Sequence, residues 1–402
     1  KTQKPAMPPD DDEPLTPQEL ALLKAWVAQG AAGSSGSSPK TTTIKLTRIA
    51  ERVQPVLALA LTPDKKYLAV GRGPNISLHP TDATETVTRL VDEELKNLSQ
   101  LDLVQALVFS RDGKQLYSGS FQEVIAWDTA TGKIIRRYTG LADRAVALDI
   151  SPDGQLLAVA GGAPTQEGEI VLFAVETGQE VLRLPAPHSD TVFGIRFSPD
   201  GKMLASAGAD KFVKVWSVVP LPRPESTGQG LAYWMHQVMP WPSPAAAFLR
   251  FLQGEHQARE QDYSLLPAGT LLRSYEGHTH HVLDVAWRAD GRTLVSAGAD
   301  HTLKVWDYER GEQVRTIGGH SRQISRLAML HNVPQVISAC GDAGLRQWNI
   351  DNGGNVRNYP GATDFLHAVI AATDGSLVAA GGDDGTVRLY NGQNGQLIKT
   401  LK

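Results

Sequence analysis

The chain is 402 residues long, 41% hydrophobic and 20% charged, with a formal net charge of −4. This is the balance of a globular protein, and so small a charge offers no field to gather nucleic acid or an anionic membrane surface. No run of about 18 apolar residues could span a bilayer, and the single cysteine, Cys340, has no intrachain partner for a disulfide.

Residues 1–31 differ from the rest. Met7-Pro8-Pro9 leads into the acidic run Asp10-Asp11-Asp12-Glu13. A helix is predicted next, with Thr16 as N-cap, Pro17 at its first position and Glu19 closing a capping box. Leu20, Leu23 and Val27 share one face, Leu22 and Trp26 flank it, and Gly30 ends the helix. One helix of about 14 residues does not hold itself folded in water, so it must pack on something. The methionine loop and the helix end Ala25-Trp26-Val27-Ala28-Gln29-Gly30-Ala31 resemble the close of a Planctomycete-type cytochrome c domain. That resemblance implies Met7 as an axial haem ligand, its thioether suiting haem iron. It also implies haem c in the full-length protein, an electron-transfer role, and a bacterial, periplasmic or extracytoplasmic home. The Cys-x-x-Cys-His attachment motif is absent, so this chain binds no haem covalently by itself. The chain opens on Lys1, and an upstream part is expected. The plainer alternative is an N-terminal extension that docks on the following domain.

Residues 32–43 hold Gly33-Ser34-Ser35-Gly36-Ser37-Ser38 and form an expected flexible linker. Ile44-Lys45-Leu46-Thr47-Arg48-Ile49 then alternates as a strand does. It competes with Gln396-Leu397-Ile398-Lys399-Thr400-Leu401 for one sheet edge, and the pattern leaves the choice open.

From there to residue 402 the chain repeats itself. His188, His278 and His320 are each followed by a serine 18 residues on (Ser206, Ser296, Ser338), an aspartate 22 on (Asp210, Asp300, Asp342) and a tryptophan 28 on (Trp216, Trp306, Trp348). Asp-Gly pairs at 112, 153, 200, 290 and 374, with Asp64 before them and Asn332 among them, extend the period. They mark seven units at about 50–100, 101–142, 143–188, 189–277, 278–319, 320–362 and 363–402. In the fifth, Val282–Trp287 alternates as a half-buried strand, and Asp290-Gly291 turns the chain. Thr293–Ala297, Leu303–Trp306 and Gln313–Ile317 follow as further strands.

Gly277-His278, Ser296, Asp300 and Trp306-Asp307, with the matching sets in units four and six, resemble the WD-repeat β-propellers. The fold expected is all-β: a seven-bladed propeller of four-stranded antiparallel blades over 44–402. A short N-terminal helical segment precedes it. Unit two keeps Trp127-Asp128 but has no aspartate six residues earlier, and unit seven keeps Asp384 with Tyr390 in the tryptophan place. In the family the four residues satisfy one another as structural ties. A Ser-His-Asp catalytic triad would use the same residue types. A triad occurs once, however, and this set occurs three times without a nucleophile elbow.

His188 to His278 spans 90 residues, against 42 for the next interval. The surplus, about 219–268, falls between the third and fourth strands of unit four and is expected to be part helical. It carries Trp234, Trp241, Phe248 and Phe251. It either folds against the propeller, docks a partner or the upstream domain, or rests on a membrane surface. His280, His281 and His301 are expected on loops of one face, without the further ligands a metal site needs. No catalytic or metal residue is assigned, and Cys340 is expected as a small core residue. The function expected is a non-enzymatic protein-interaction scaffold fused to a c-type cytochrome domain, with protein partners and no nucleic acid. The alternative is a propeller subunit or redox component with an active site in its central channel.

Overall fold

The structure, a computed structural model, describes Lys24 and residues 54–82, 87–95, 98–222 and 265–402. The chain divides into two compact units, Lys1–Arg48 and Ile49–Lys402. In the first, Lys24 is helical and exposed, within the span predicted as helix. Met7, the rest of that helix, the linker and Ile44–Ile49 lie outside the described residues.

The second unit is built of antiparallel sheets. Repeat unit five shows the plan: Val282–Trp287, Thr293–Gly298, Leu303–Asp307 and Glu312–Ile317 pair in chain order. Val285 faces Ser296 and Leu294 faces Trp306 across the ladders. The turn works as the Asp-Gly pair requires: Gly291 has φ 66, and the Asp290 carboxylate accepts from the Arg292 and Thr293 amides. The first three strands are buried almost throughout, while the fourth is largely exposed. Val282–Trp287 therefore differs from the half-buried strand expected. Asp284 is fully buried, because the strand is walled on both faces and its register shifts between Val282 and Asp284. The same shift recurs at Val56/Ala58, Ala145/Ala147, Val192/Gly194, Ile324/Arg326 and Leu366/Ala368.

Units one, four, five, six and seven each form a four-stranded sheet. Units two and three share a seven-stranded one, joined through the strand Ile134–Ile150. The first half of that strand pairs with Phe121–Asp128 and its second half with Leu156–Gly161. In unit four the insertion separates Val213–Ser217 from its partner Leu271–Tyr275, as the spacing indicated. Leu221–Pro222 pairs with Leu265–Leu266 at its base. Trp234, Trp241, Phe248 and Phe251 lie outside the described residues.

Apolar clusters glue each sheet to the next. One joins Val295, Leu303 and Ile317 of unit five to Ile324, Leu327 and Val336 of unit six. Each fully buried aliphatic side chain of this kind contributes roughly 1.5–3 kcal/mol. Another cluster joins the last sheet to the first, packing Val387, Leu389 and Leu401 on Val56, Leu68 and Val70. Leu397–Leu401 fills the fourth-strand place of the last sheet, pairing with Val387–Asn391. A second device runs along the outer strands. Arg136 donates to the Glu176 and Thr177 carbonyls, Arg273 to Tyr308, Arg315 to Asp351 and Arg357 to Gly392, each on the next unit's turn. Lys399 does the same across the seam, to the Asp82 carbonyl of unit one.

Candidate functional site

In units four and five the structure brings the four repeated residues into one chain of bonds. His188 Nδ1 lies 2.8 Å from Asp210, its Nε2 lies 2.7 Å from Ser206 Oγ, and Trp216 Nε1 donates to the same hydroxyl at 3.0 Å. His278, Asp300, Ser296 and Trp306 repeat this at 2.8, 2.7 and 2.8 Å. A carboxylate only accepts, so Nδ1 carries the ring proton and Nε2 accepts the serine hydroxyl. Burial pushes His188 down from the ordinary histidine range, against the pull of Asp210. For Asp300, hydrogen bonds from His278, Thr302 and the Thr279 amide outweigh burial and hold the carboxyl far below the ordinary range. A serine hydroxyl that accepts an indole proton and donates to a buried imidazole is a structural tie.

Unit six departs from this pattern. His320 Nε2 keeps Ser338 at 2.7 Å and Trp348 keeps the same hydroxyl at 2.9 Å, but His320 Nδ1 stands 3.5 Å from Asp342 Oδ1. The cause is Cys340. Units four and five have glycine at that place, and a Cβ there would fall 2.3 Å from His188 Nδ1, or 2.4 Å from His278 Nδ1. The Arg346 guanidinium enters instead, contacting His320 Nδ1 and donating to both Asp342 oxygens at 3.0 and 2.9 Å. Burial and this guanidinium push His320 down to about 4.

Arg346 belongs to a fifth repeated position, outside the histidine, serine, aspartate and tryptophan spacing. A cation stands 26 residues after each histidine place: Lys214, Lys304, Arg346 and, in unit seven, Arg388. Unit seven has alanine at both the histidine and serine places (Ala362, Ala380), and there Arg388 takes over Asp384 at 2.7 Å. Tyr390 turns its hydroxyl to the Pro360 carbonyl. Unit two keeps a tryptophan–serine tie, Trp127 to Ser118 at 2.9 Å. Its serine stands nine residues before the tryptophan instead of ten, because the hairpin is one residue shorter. A one-residue gap in the repeat pattern would have revealed it.

The first strands of units three to six carry a second set of charges toward a shared interior. Asp149 accepts from the Phe197 amide, and Asp284 from the Leu327 amide, each reaching the next unit's first strand. Arg326 donates to the Phe193 carbonyl at 2.7 Å and the Val146 carbonyl at 3.1 Å, two and three units away. Burial pushes the Asp149 carboxyl up, with Arg196 opposing it. These acids and bases are engaged with the backbone of neighbouring sheets, which is a way of binding blades together.

At the surface of unit two, three apolar side chains are exposed, Leu101 and Leu103 before its first strand and Phe121 at the start of the strand Phe121–Asp128. Leu101, Leu103 and Phe121 are 77%, 43% and 48% exposed. Gln100, itself buried, ties the two segments together by donating to the Asp102, Leu103 and Gly119 carbonyls. Arg144, in register with Phe121, pairs with Asp102. His280 and His281 lie side by side, with ring centroids 4.4 Å apart, and His281 stacks on Phe193. His301, expected beside them, sits at a positive-φ turn near enough to His320 to disfavour its protonation.

The haem ligand that the N-terminal resemblance implies, Met7, lies outside the described residues. The one cysteine of the chain, Cys340, is buried in the strand Gln335–Cys340, its thiol pushed up to about 12 by burial. No helix among the described residues is long and apolar enough to cross a membrane.

Residues 178–217, 269–307, 311–349 and 353–391 match the sequence model of the family described as WD domain, G-beta repeat. Among curated proteins the chain is similar to a subunit of chromatin assembly factor 1 from Mus musculus, 25% identical over 50% of this chain and 26% of that protein. It is similar to protein hir1 of Emericella nidulans, 29% identical over 42% of this chain and 14% of that protein. It is also similar to the anaphase-promoting complex subunit cdc20 of Dictyostelium discoideum, 24% identical over 67% of this chain and 64% of that protein. In each case the match spans less than two thirds of the relative. These relatives correct one expectation: they are eukaryotic proteins, two of them named for chromatin assembly or the anaphase-promoting complex, and they overturn the bacterial, periplasmic or extracytoplasmic setting.

Proposed function

We propose that this chain, whose repeats are of the WD type, is a rigid protein-interaction scaffold: a seven-bladed ring that binds protein partners and is not an enzyme. The observation that carries it is the contrast between interior and rim. The interior histidines, serines and carboxylates are tied to one another or to backbone, while Leu101, Leu103 and Phe121 are exposed on two segments that Gln100 ties together. Exposed apolar side chains clustered on a rigid support are what an interface needs. Two of the relatives are called subunits, which supports a role within assemblies. The count of seven rests on the repeat units, two of which share the strand Ile134–Ile150. Closure rests on the apolar cluster between the last and first sheets.

The test is to isolate a partner with the unaltered chain and measure its affinity for Leu101→Ser, Leu103→Ser, Phe121→Ser. Exposed positions leave the fold intact, so the melting temperature should hold while affinity falls at least about tenfold, or roughly 1.4 kcal/mol. Unchanged affinity would remove this face from the scaffold.

The insertion is a second proposed surface, for a partner or an upstream domain, through Trp234, Trp241, Phe248 and Phe251. Replacing Trp241, Phe248 and Phe251 with serine should weaken that docking. Fusion to a c-type cytochrome domain, with Met7 as axial ligand, rests on residues 1–31 alone. An absorption spectrum of the longer protein without a c-type haem band would end that idea and leave the scaffold untouched.

A further inference from the structure

His320, Cys340 and Asp342 each offer one donor atom, and the three atoms lie within 4.8 Å of one another. The sequence alone does not suggest this grouping, because it depends on how unit six departs from its siblings. Cysteine replaces glycine at the position that presses on the histidine, and the histidine–aspartate contact opens from 2.8 to 3.4 Å.

The opening also reverses the proton pattern of the imidazole. In units four and five Nδ1 faces a carboxylate and must carry the proton. In unit six Nδ1 faces the Arg346 guanidinium, which only donates, so Nδ1 presents its lone pair. Nε2 then carries the proton and gives it to Ser338 Oγ, whose own proton is free to go to the Arg346 carbonyl at 3.3 Å. A neutral imidazole with one nitrogen unprotonated and the other anchored through its N–H is how histidine is set up to ligate a metal.

We propose that this altered tie is a binding site for a thiophilic divalent cation of the zinc class, with His320 Nδ1, Cys340 Sγ and Asp342 as its three protein ligands. One nitrogen, one sulfur and one carboxylate oxygen suit zinc or cobalt, with water completing a tetrahedron. Arg346 is the resident positive charge: its guanidinium lies against His320 Nδ1 and both Asp342 oxygens, and it is partly exposed, so it can swing out as the metal enters. Cys340 Sγ makes two weak contacts, to the Arg322 carbonyl at 3.1 Å and from the Asp342 amide at 3.5 Å, and gives up its proton on binding. Lys214 and Lys304 hold the arginine's place in units four and five, but glycine holds the cysteine's, so those units lack the sulfur.

The purified chain is titrated with Co2+ and then with Zn2+ in competition. Because the chain has one cysteine, a thiolate-to-cobalt charge-transfer band can come only from Cys340. The expected result is that band, saturating at one equivalent, bleached by Zn2+, absent in Cys340→Gly and reached at lower Co2+ in Arg346→Ala. Cys340→Gly restores the residue of units four and five, so it should fold. Zn2+ should raise the melting temperature of the parent chain and not of this variant. Absence of the band in both the parent and Arg346→Ala overturns the site. Cobalt bound without the band, as the exposed His280 and its neighbour His281 could bind it, overturns it equally.

Discussion

A single hydroxyl decides how much each tie contributes. Ser296 accepts the Trp306 indole proton and serves His278 Nε2, and all three residues are buried. Ser296→Ala leaves two buried polar groups unpaired, at about 1–3 kcal/mol each. We expect the variant to lose at least about 2 kcal/mol in urea unfolding, and a loss under about 0.5 kcal/mol would show that the tie adds nothing to stability. Protonation acts at the same scale. Burial pushes both His79 and His320 from the ordinary 6.5 to about 4. The unfolded chain therefore binds protons first. This part of the stability is complete above pH 6.5 and is lost as pH falls toward 4. The urea midpoint should drop across that window, and His79→Phe should shrink the drop, since His79 faces Leu68 as Trp306 faces Leu294 and so stands at the tryptophan position of unit one. A midpoint flat from about pH 7 to about pH 4.5 would contradict this. The histidine, serine, aspartate and tryptophan were legible because their spacing repeats. The Cys340 effect was not, since it depends on a Cβ lying where three atoms already meet.

At the scale of elements, strands and turns were legible because Asp-Gly pairs and apolar runs are local signals. Unit five follows its expected strands within a residue or so at each end. The pairing of Asp149 and Asp284 with the next unit's amides was hidden, because Asp284 reads in sequence as the polar residue of a half-buried strand. Only the packing of one sheet on another shows that it points into the interior. Asp284→Ala should orphan the Leu327 and Val285 amides, leave Arg326 without a near counter-charge and leave Arg196 with Asp149 alone. A loss of about 3 kcal/mol or more is expected, as for a buried pair deprived of one partner. Asp284→Asn, which keeps one acceptor, should lose less, and equal losses would argue against the charge. The insertion sits at the other extreme. Third and fourth strands of unit four pair directly beside it, and a short Gly-Ser loop from Pro222 to Leu265 should keep cooperative unfolding. Loss of cooperativity would make the insertion part of the core.

For the whole molecule, closure was the question the sequence left open, since two segments could fill one edge. Leu397–Leu401 fills it, and the apolar seam and the Lys399 bond to Asp82 continue the pattern of the other unit boundaries. A ring made this way spends its buried polar groups on holding blades together, and the proposed scaffold role falls to its exposed side chains. The decisive measurement is hydrogen–deuterium exchange of the chain with and without a bound protein partner. The scaffold account expects new protection on residues 98–104, 119–122 and 141–145, around Leu101, Leu103 and Phe121, with the interior strands unchanged. Protection confined to the first strands of units three to six, with those loops exchanging as before, would place the ligand in the interior and contradict it.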